Sequence, residues 1–204
     1  MKARFVTIAA GALALAGCAS LFYTPPSKEE TLAVIKSSFH DRGIAKVDRL
    51  NQSQMQAICS DTHNNPSAEQ RAQIERAAQV SVKYPSDGNW LGDYKHGERI
   101  AQTGVGLQWS DKPGKPAGGN CYACHQLSKA EISYGNIGPS LYHYGKLRGD
   151  TEQTRRYTWA KIWNTHAFNA CSPMPRFGDA GILTEAQIKD VMALLLDPAS
   201  PVNQ

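Results

Sequence analysis

This 204-residue chain has few strong biases. Beyond its first twenty residues no run is apolar enough to span a bilayer, which would take about 20 consecutive residues. No long stretch alternates apolar and polar side chains, which argues against a sheet and for an all-α fold. Internal repeats and low-complexity segments are absent as well. The formal charge is only +4, and two of the cationic side chains, Lys2 and Arg4, fall in a leader. So weak a balance does not suggest a nucleic-acid partner. There is also no second close Cys/His pair that would complete a structural zinc site.

The leader itself is present in full. Lys2 and Arg4, an apolar run from Phe5 to Ala16 and then small residues follow the order of an export signal. Leu15-Ala16-Gly17-Cys18 is also the pattern of a bacterial lipoprotein signal, in which cleavage precedes the Cys and its thiol is acylated. The competing reading is an ordinary secretory leader with an incidental Cys. Each buried acyl methylene contributes about 0.8 kcal/mol, so several chains on Cys18 would hold the protein at a membrane surface.

Five cysteines remain to be accounted for. With Cys18 lipidated and two others engaged as argued below, Cys59 and Cys171 are left, and two leftover thiols in an oxidising compartment are usually paired. Closing so long a loop stabilises by roughly 4 to 5 kcal/mol in the chain-entropy model. The alternatives are one buried reduced thiol, or Cys171 paired with another chain.

The chain divides into the leader at 1–18, a helical extension at 19–85 and a main domain at 86–204. In the extension, Pro25-Pro26 reads as an extended tether. Ser27 with Glu30 and Ser67 with Gln70 form capping boxes, and the first helix is expected to run to Gly43. Residues 51–60 are polar and ambiguous. Both helices carry too few apolar residues to fold alone, so the extension is expected to pack on something else. After the turn-rich Ser86-Asp87-Gly88-Asn89 come all four tryptophans. Tyr94 to Ala101 is helix-compatible, and its Gly97 would permit close approach of a second helix. Thr184 with Gln187 caps a last amphipathic helix carrying Ile188, Val191, Met192 and Leu195, ended by Pro198.

Cys121-Tyr122-Ala123-Cys124-His125 is the most specific motif. Two thiols on one turn can each form a thioether to a vinyl group of one haem, and the adjacent His reaches the iron from the same side. A thioredoxin-like dithiol would need a strand before the motif, where this chain has Lys115-Pro116-Ala117-Gly118-Gly119-Asn120. One covalent haem c is therefore expected. For the sixth iron position the chain offers Met55, Met174, Met192 and five other histidines. Met192 is explained by packing on the last helix. Pro173-Met174-Pro175 forces a non-helical loop from which the thioether projects, so Met174 is the candidate. Pro139, in Gly138-Pro139, offers a carbonyl to Nδ1 of His125. His96, His143 and His166 are expected at the surface. Lys146, Arg148, Arg155, Arg156 and Lys161 form a basic stretch that would meet haem propionates or a partner, or simply be solvated.

The order of helix, Cys-x-x-Cys-His, Gly-Pro, Met loop and last helix resembles a class I cytochrome c. Gly119 to His125, Asn136 to Leu141, Cys171 to Gly178 and Leu183 to Pro198 resemble, within that class, the SoxX subunit family of the SoxAX complex of bacterial thiosulfate oxidation. That resemblance implies a periplasmic heterodimer with a SoxA-like dihaem or monohaem cytochrome, which would carry the catalytic cysteine. Together they would couple thiosulfate to a cysteine of a sulfur-carrier protein, and this chain's haem would pass electrons to a downstream cytochrome c. It implies no catalytic residue in this chain. The extension departs from the compact family pattern. The alternatives are a free-standing lipoprotein electron carrier and a haem-based sensor with an open sixth site.

Overall fold

The computed structural model describes residues 24–204, so the leader and Cys18 lie outside the described residues. Two units are present, one ending at His40 and the other spanning Asp41–Gln204. In the first, helix α1 (Lys28–Ser38) starts at a capping box: Ser27 Oγ accepts the Glu30 N–H at 3.1 Å, and Glu30 accepts the Ser27 N–H at 2.7 Å. It stops five residues before Gly43, because Phe39 is already extended (φ −97°, ψ 135°). Gly43 instead takes a positive φ in the turn that pairs Arg42 with Ala45.

The second unit holds α2 (Gln54–Asp61), α3 (Ala68–Ser81), α4 (Tyr94–Gln102), α5 (Tyr144–Arg148), α6 (Glu152–Trp163) and α7 (Glu185–Leu196). Seven α-helices and no strand among the described residues make the fold all-α. The polar segment 51–60 resolves into α2 because Ser53 and Gln56 form a further capping box.

The core is the crossing of α4 and α7. Ile188, Val191, Met192 and Leu194 of α7 are buried, as are Ile100 and Ala101 of α4. A Cβ at Gly97 would overlap the Asp190 carbonyl oxygen and stand 3.0 Å from Leu194 Cβ, so the close approach expected of this glycine is realised. Trp159 of α6 fills the next layer, with Trp90 edge-on at 5.9 Å.

Residues 41–85 pack within this same unit. Ile74 and Ala78 of α3 are buried. Trp159 Nε1 donates to the Lys83 carbonyl at 2.8 Å and Trp163 Nε1 to the Ser81 carbonyl at 3.1 Å. Cys59 of α2 forms a disulfide with Cys171. None of the described helices is long and apolar enough to cross a membrane.

Candidate haem site

The glycine-rich approach to the motif is stitched to the end of α4. Gly118, Gly119 and Asn120 donate their backbone N–H groups to Val105, Ile100 and Thr103 carbonyls at 2.8–2.9 Å. A side chain at Gly118 would overlap the Thr103 carbonyl, which is why this strap needs glycine. Asn120 then turns through a left-handed conformation (φ 46°) into a short 3₁₀ turn, Cys121–Ala123. His125 N–H donates back to the Cys121 carbonyl at 2.9 Å, so both cysteines and the histidine share one turn. Buried Tyr122 anchors that turn, its hydroxyl 3.1 Å from Ser128 Oγ.

The loop after the motif doubles back on it. Gly135 and Gly138 donate to the Tyr122 and Cys124 carbonyls at 2.8 and 2.9 Å. Pro139 O lies 2.7 Å from His125 Nδ1. A carbonyl can only accept, so Nδ1 carries the proton and Nε2 keeps its lone pair for a metal. A Cβ at Gly138 would overlap the imidazole itself, so the ring is set by a hydrogen bond on one side and bare backbone on another.

Cys121 and Cys124 are free thiols, not bonded to each other. Burial pushes the Cys121 thiol up to about 12. It is therefore protonated at neutral pH, unlike the low-pKa thiolate of a dithiol redox motif. Two unpaired thiols on one turn, beside a histidine with a pre-set tautomer, fit a covalently attached haem. Cys121 and Cys124 would hold it and His125 would ligate its iron.

Met174 is half-buried and packs against the same main core as Cys121. Its N–H donates to Ser172 Oγ at 3.2 Å. The loop after it is pinned where Gly178 and Asp179 donate to the Trp163 carbonyl at 3.1 Å. Met192 is wholly enclosed in the core, as packing on the last helix requires.

A model of the cytochrome c family matches residues 94–197, more than half of the chain, starting at the first residue of α4 and ending just past α7. The chain belongs to the cytochrome c family. A protein of Aquifex aeolicus (strain VF5) called an uncharacterized lipoprotein is 38% identical over 157 residues, 75% of this chain and 73% of that protein. Membership implies haem c and electron transfer for this cytochrome c.

The remaining histidines divide. His96 is exposed between Asp93 and Asp190, at 3.9 Å from each. His143 stacks on Tyr142 and its Nε2 stands 2.7 Å from the Gln204 carbonyl. His166 corrects the surface expectation: it is buried, with Nε2 3.2 Å from the Ser172 carbonyl and Nδ1 2.8 Å from Met55 Sδ. Burial lowers its pKa, and the Ser172 carbonyl opposes that. No spacing in the sequence signals this cluster, because Met55 and His166 meet only through α2 and the disulfide. The Ser two residues before Met174 was the one local clue.

Much of the basic stretch is engaged locally. Arg155 makes a bidentate pair with Asp150 at 2.6 Å, and that hydrogen bonding raises its pKa. Arg156 pairs with Glu152 at 2.9 Å and lies over the Tyr84 ring at 5.0 Å. Half-buried Lys161 sits 5.6 Å from the Phe168 ring centroid, its pKa lowered by burial.

Proposed function

We propose that this cytochrome c is a monohaem electron carrier of the periplasm, tethered to a membrane through acylated Cys18, with His125 and Met174 as the axial ligands of its iron. The observation that carries the reading is the geometry of His125. Pro139 O occupies Nδ1 and leaves Nε2 as the ring's one free donor of electrons, while Gly138 gives the imidazole its place. The bound haem supplies reversible one-electron exchange at iron. A neutral thioether as the second axial ligand favours the reduced metal and raises the potential. The chain's residues orient and enclose, and none is needed as acid, base or nucleophile. The Leu15-to-Cys18 pattern and the name of the Aquifex relative support the lipid tether.

Ferric holoprotein is expected to show the weak near-infrared charge-transfer band of methionine-ligated haem, and Met174→Ala to abolish it and lower the potential. Wild-type protein without that band would remove Met174 from the iron. Cys18→Ala is expected to move the protein from the membrane to the soluble fraction, and an unchanged distribution would remove the anchor.

The Met loop, Cys171 to Gly178, favours a second reading: a SoxX-type electron-accepting subunit of a SoxAX complex. Catalysis would then belong to a SoxA-like haem partner working on thiosulfate and a sulfur-carrier protein, with a further cytochrome c downstream. Affinity purification from the native host tests it. A stoichiometric haem-bearing partner and thiosulfate-dependent haem reduction are expected, and a monomer inert to thiosulfate would leave the carrier reading alone.

A further inference from the structure

The segment leading into Met174 is held from behind by groups that electron transfer itself does not use. Cys171 is bonded to Cys59 of α2, 112 positions earlier. Ser172 is then gripped three ways: its hydroxyl accepts from the Met174 N–H and from Thr165 Oγ1, each at 3.2 Å, and its carbonyl lies 3.2 Å from His166 Nε2. His166 in turn rests against Met55 Sδ of α2. The apolar side of α2 is spent at this one place, since Met55, Ile58 and Cys59 cluster with Ile74, Ala170 and Cys171 apart from the main core. A helix whose buried contacts converge on the chain just before a candidate ligand has a consequence for that ligand.

We propose that the Cys59–Cys171 bridge and His166 are positioning residues for Met174, restraining its loop so that the thioether keeps its place at the iron against competing ligands. The inference rests on the Met174 ligation proposed above. A neutral thioether is a weak partner for ferric iron, so its occupancy depends on how much freedom the loop would gain by letting go. A covalent tie at Cys171, three residues before Met174, removes most of that freedom, and the His166 contact removes part of the rest. Both bridging cysteines also line a cavity of about 560 Å³ shared with Met174, Arg176 and Ile182, which gives a small reagent a way to the bridge in the folded protein.

Imidazole titration of the ferric holoprotein reads Met174 occupancy directly, since imidazole binds only when the thioether leaves. In the double variant Cys59→Ser/Cys171→Ser the apparent Kd for imidazole should fall at least tenfold, about 1.4 kcal/mol, and the near-infrared band should weaken. His166→Gln should shift it the same way by a smaller factor. If the double variant does not mature, wild-type holoprotein can be reduced with a phosphine, its thiols capped with methyl methanethiosulfonate and its iron re-oxidised with ferricyanide before the same titration. A lower urea midpoint with unchanged imidazole affinity would mean a merely structural bridge and overturn the proposal. Met174→Ala separates the two levels. Should it bind imidazole far more tightly than wild type while the bridge-free protein does not, ligation stands and positioning falls. Should it bind as wild type does, Met174 is not the ligand and both fall.

Discussion

Gly97→Ala is the substitution on which two opposite effects meet at one atom. In an isolated helix it would stabilise α4 by about 0.8–1.0 kcal/mol, because glycine is the costlier helix residue. In this fold the new methyl would overlap the Asp190 carbonyl oxygen, approach its carbonyl carbon to 2.7 Å and reach Leu194 Cβ at 3.0 Å. The obstacle is α7 backbone, which cannot rotate aside as a side chain could. Relief requires parting α4 from α7, whose crossing buries Ile100, Ala101, Ile188, Val191 and Leu194. Overpacking a close-packed core costs about 1–3 kcal/mol, and a backbone collision belongs at the upper end of that range. Subtracting the helix gain leaves a net loss of about 2 kcal/mol, or about 4–8 °C in Tm for a unit of this size. Urea unfolding of the holoprotein, followed by circular dichroism and by haem absorbance, measures it. Gly149→Ala is the comparison away from the crossing: open space surrounds the site, but φ 71° with ψ 165° is backbone that essentially only glycine adopts, so the loss should be about 1–3 kcal/mol and owe nothing to α7. Gly97→Ala protein equal to or more stable than wild type would refute the close helix crossing.

Gly138→Ala should displace the His125 ring and lengthen its bond to Pro139, reducing covalent haem stoichiometry and destabilising what matures by about 2 kcal/mol; full loading with an unchanged Soret band would contradict the ring's placement. His166 has its pKa lowered by burial, so the folded protein binds fewer protons there than the unfolded chain. Its stability should be complete above about pH 6.5 and decline as the pH falls below that value, a slope in the urea midpoint that His166→Gln should flatten. Asp87 is held at about 2 by hydrogen bonds from the Lys189 ammonium and the Asn89 backbone, so its contribution is present above about pH 3.9 and disappears as acid titrates it toward 2. Acid unfolding of Asp87→Asn should lack that component, and because the carboxylate is exposed, salt should shrink the difference.

What could be read without a fold was local chemistry. Ser27/Glu30, Ser67/Gln70 and Thr184/Gln187 mark helix starts because a capping box is complete within four residues. Cys121, Cys124 and His125 mark a haem turn because the needed spacing fits in one turn, and Pro173-Met174-Pro175 marks a thioether projecting from a non-helical loop because proline dictates its neighbours' backbone. The same logic extended to Ser53/Gln56 would have found α2. The helix α6 escaped because its buried residues, Thr158, Trp159, Ala160 and Ile162, lie partly in one continuous run rather than on a stripe. Only the tertiary structure decided the rest. His166 lies in the interior because α2 and the Cys171 segment close over it, and contacts between residues 111 positions apart leave no trace in local spacing. Residues 41–85 belong with the cytochrome unit because Trp159 and Trp163 need carbonyl partners, which Lys83 and Ser81 provide. The haem motif was determined by bonds within reach of five residues, whereas the support of its proposed second ligand depends on how distant segments share one interior.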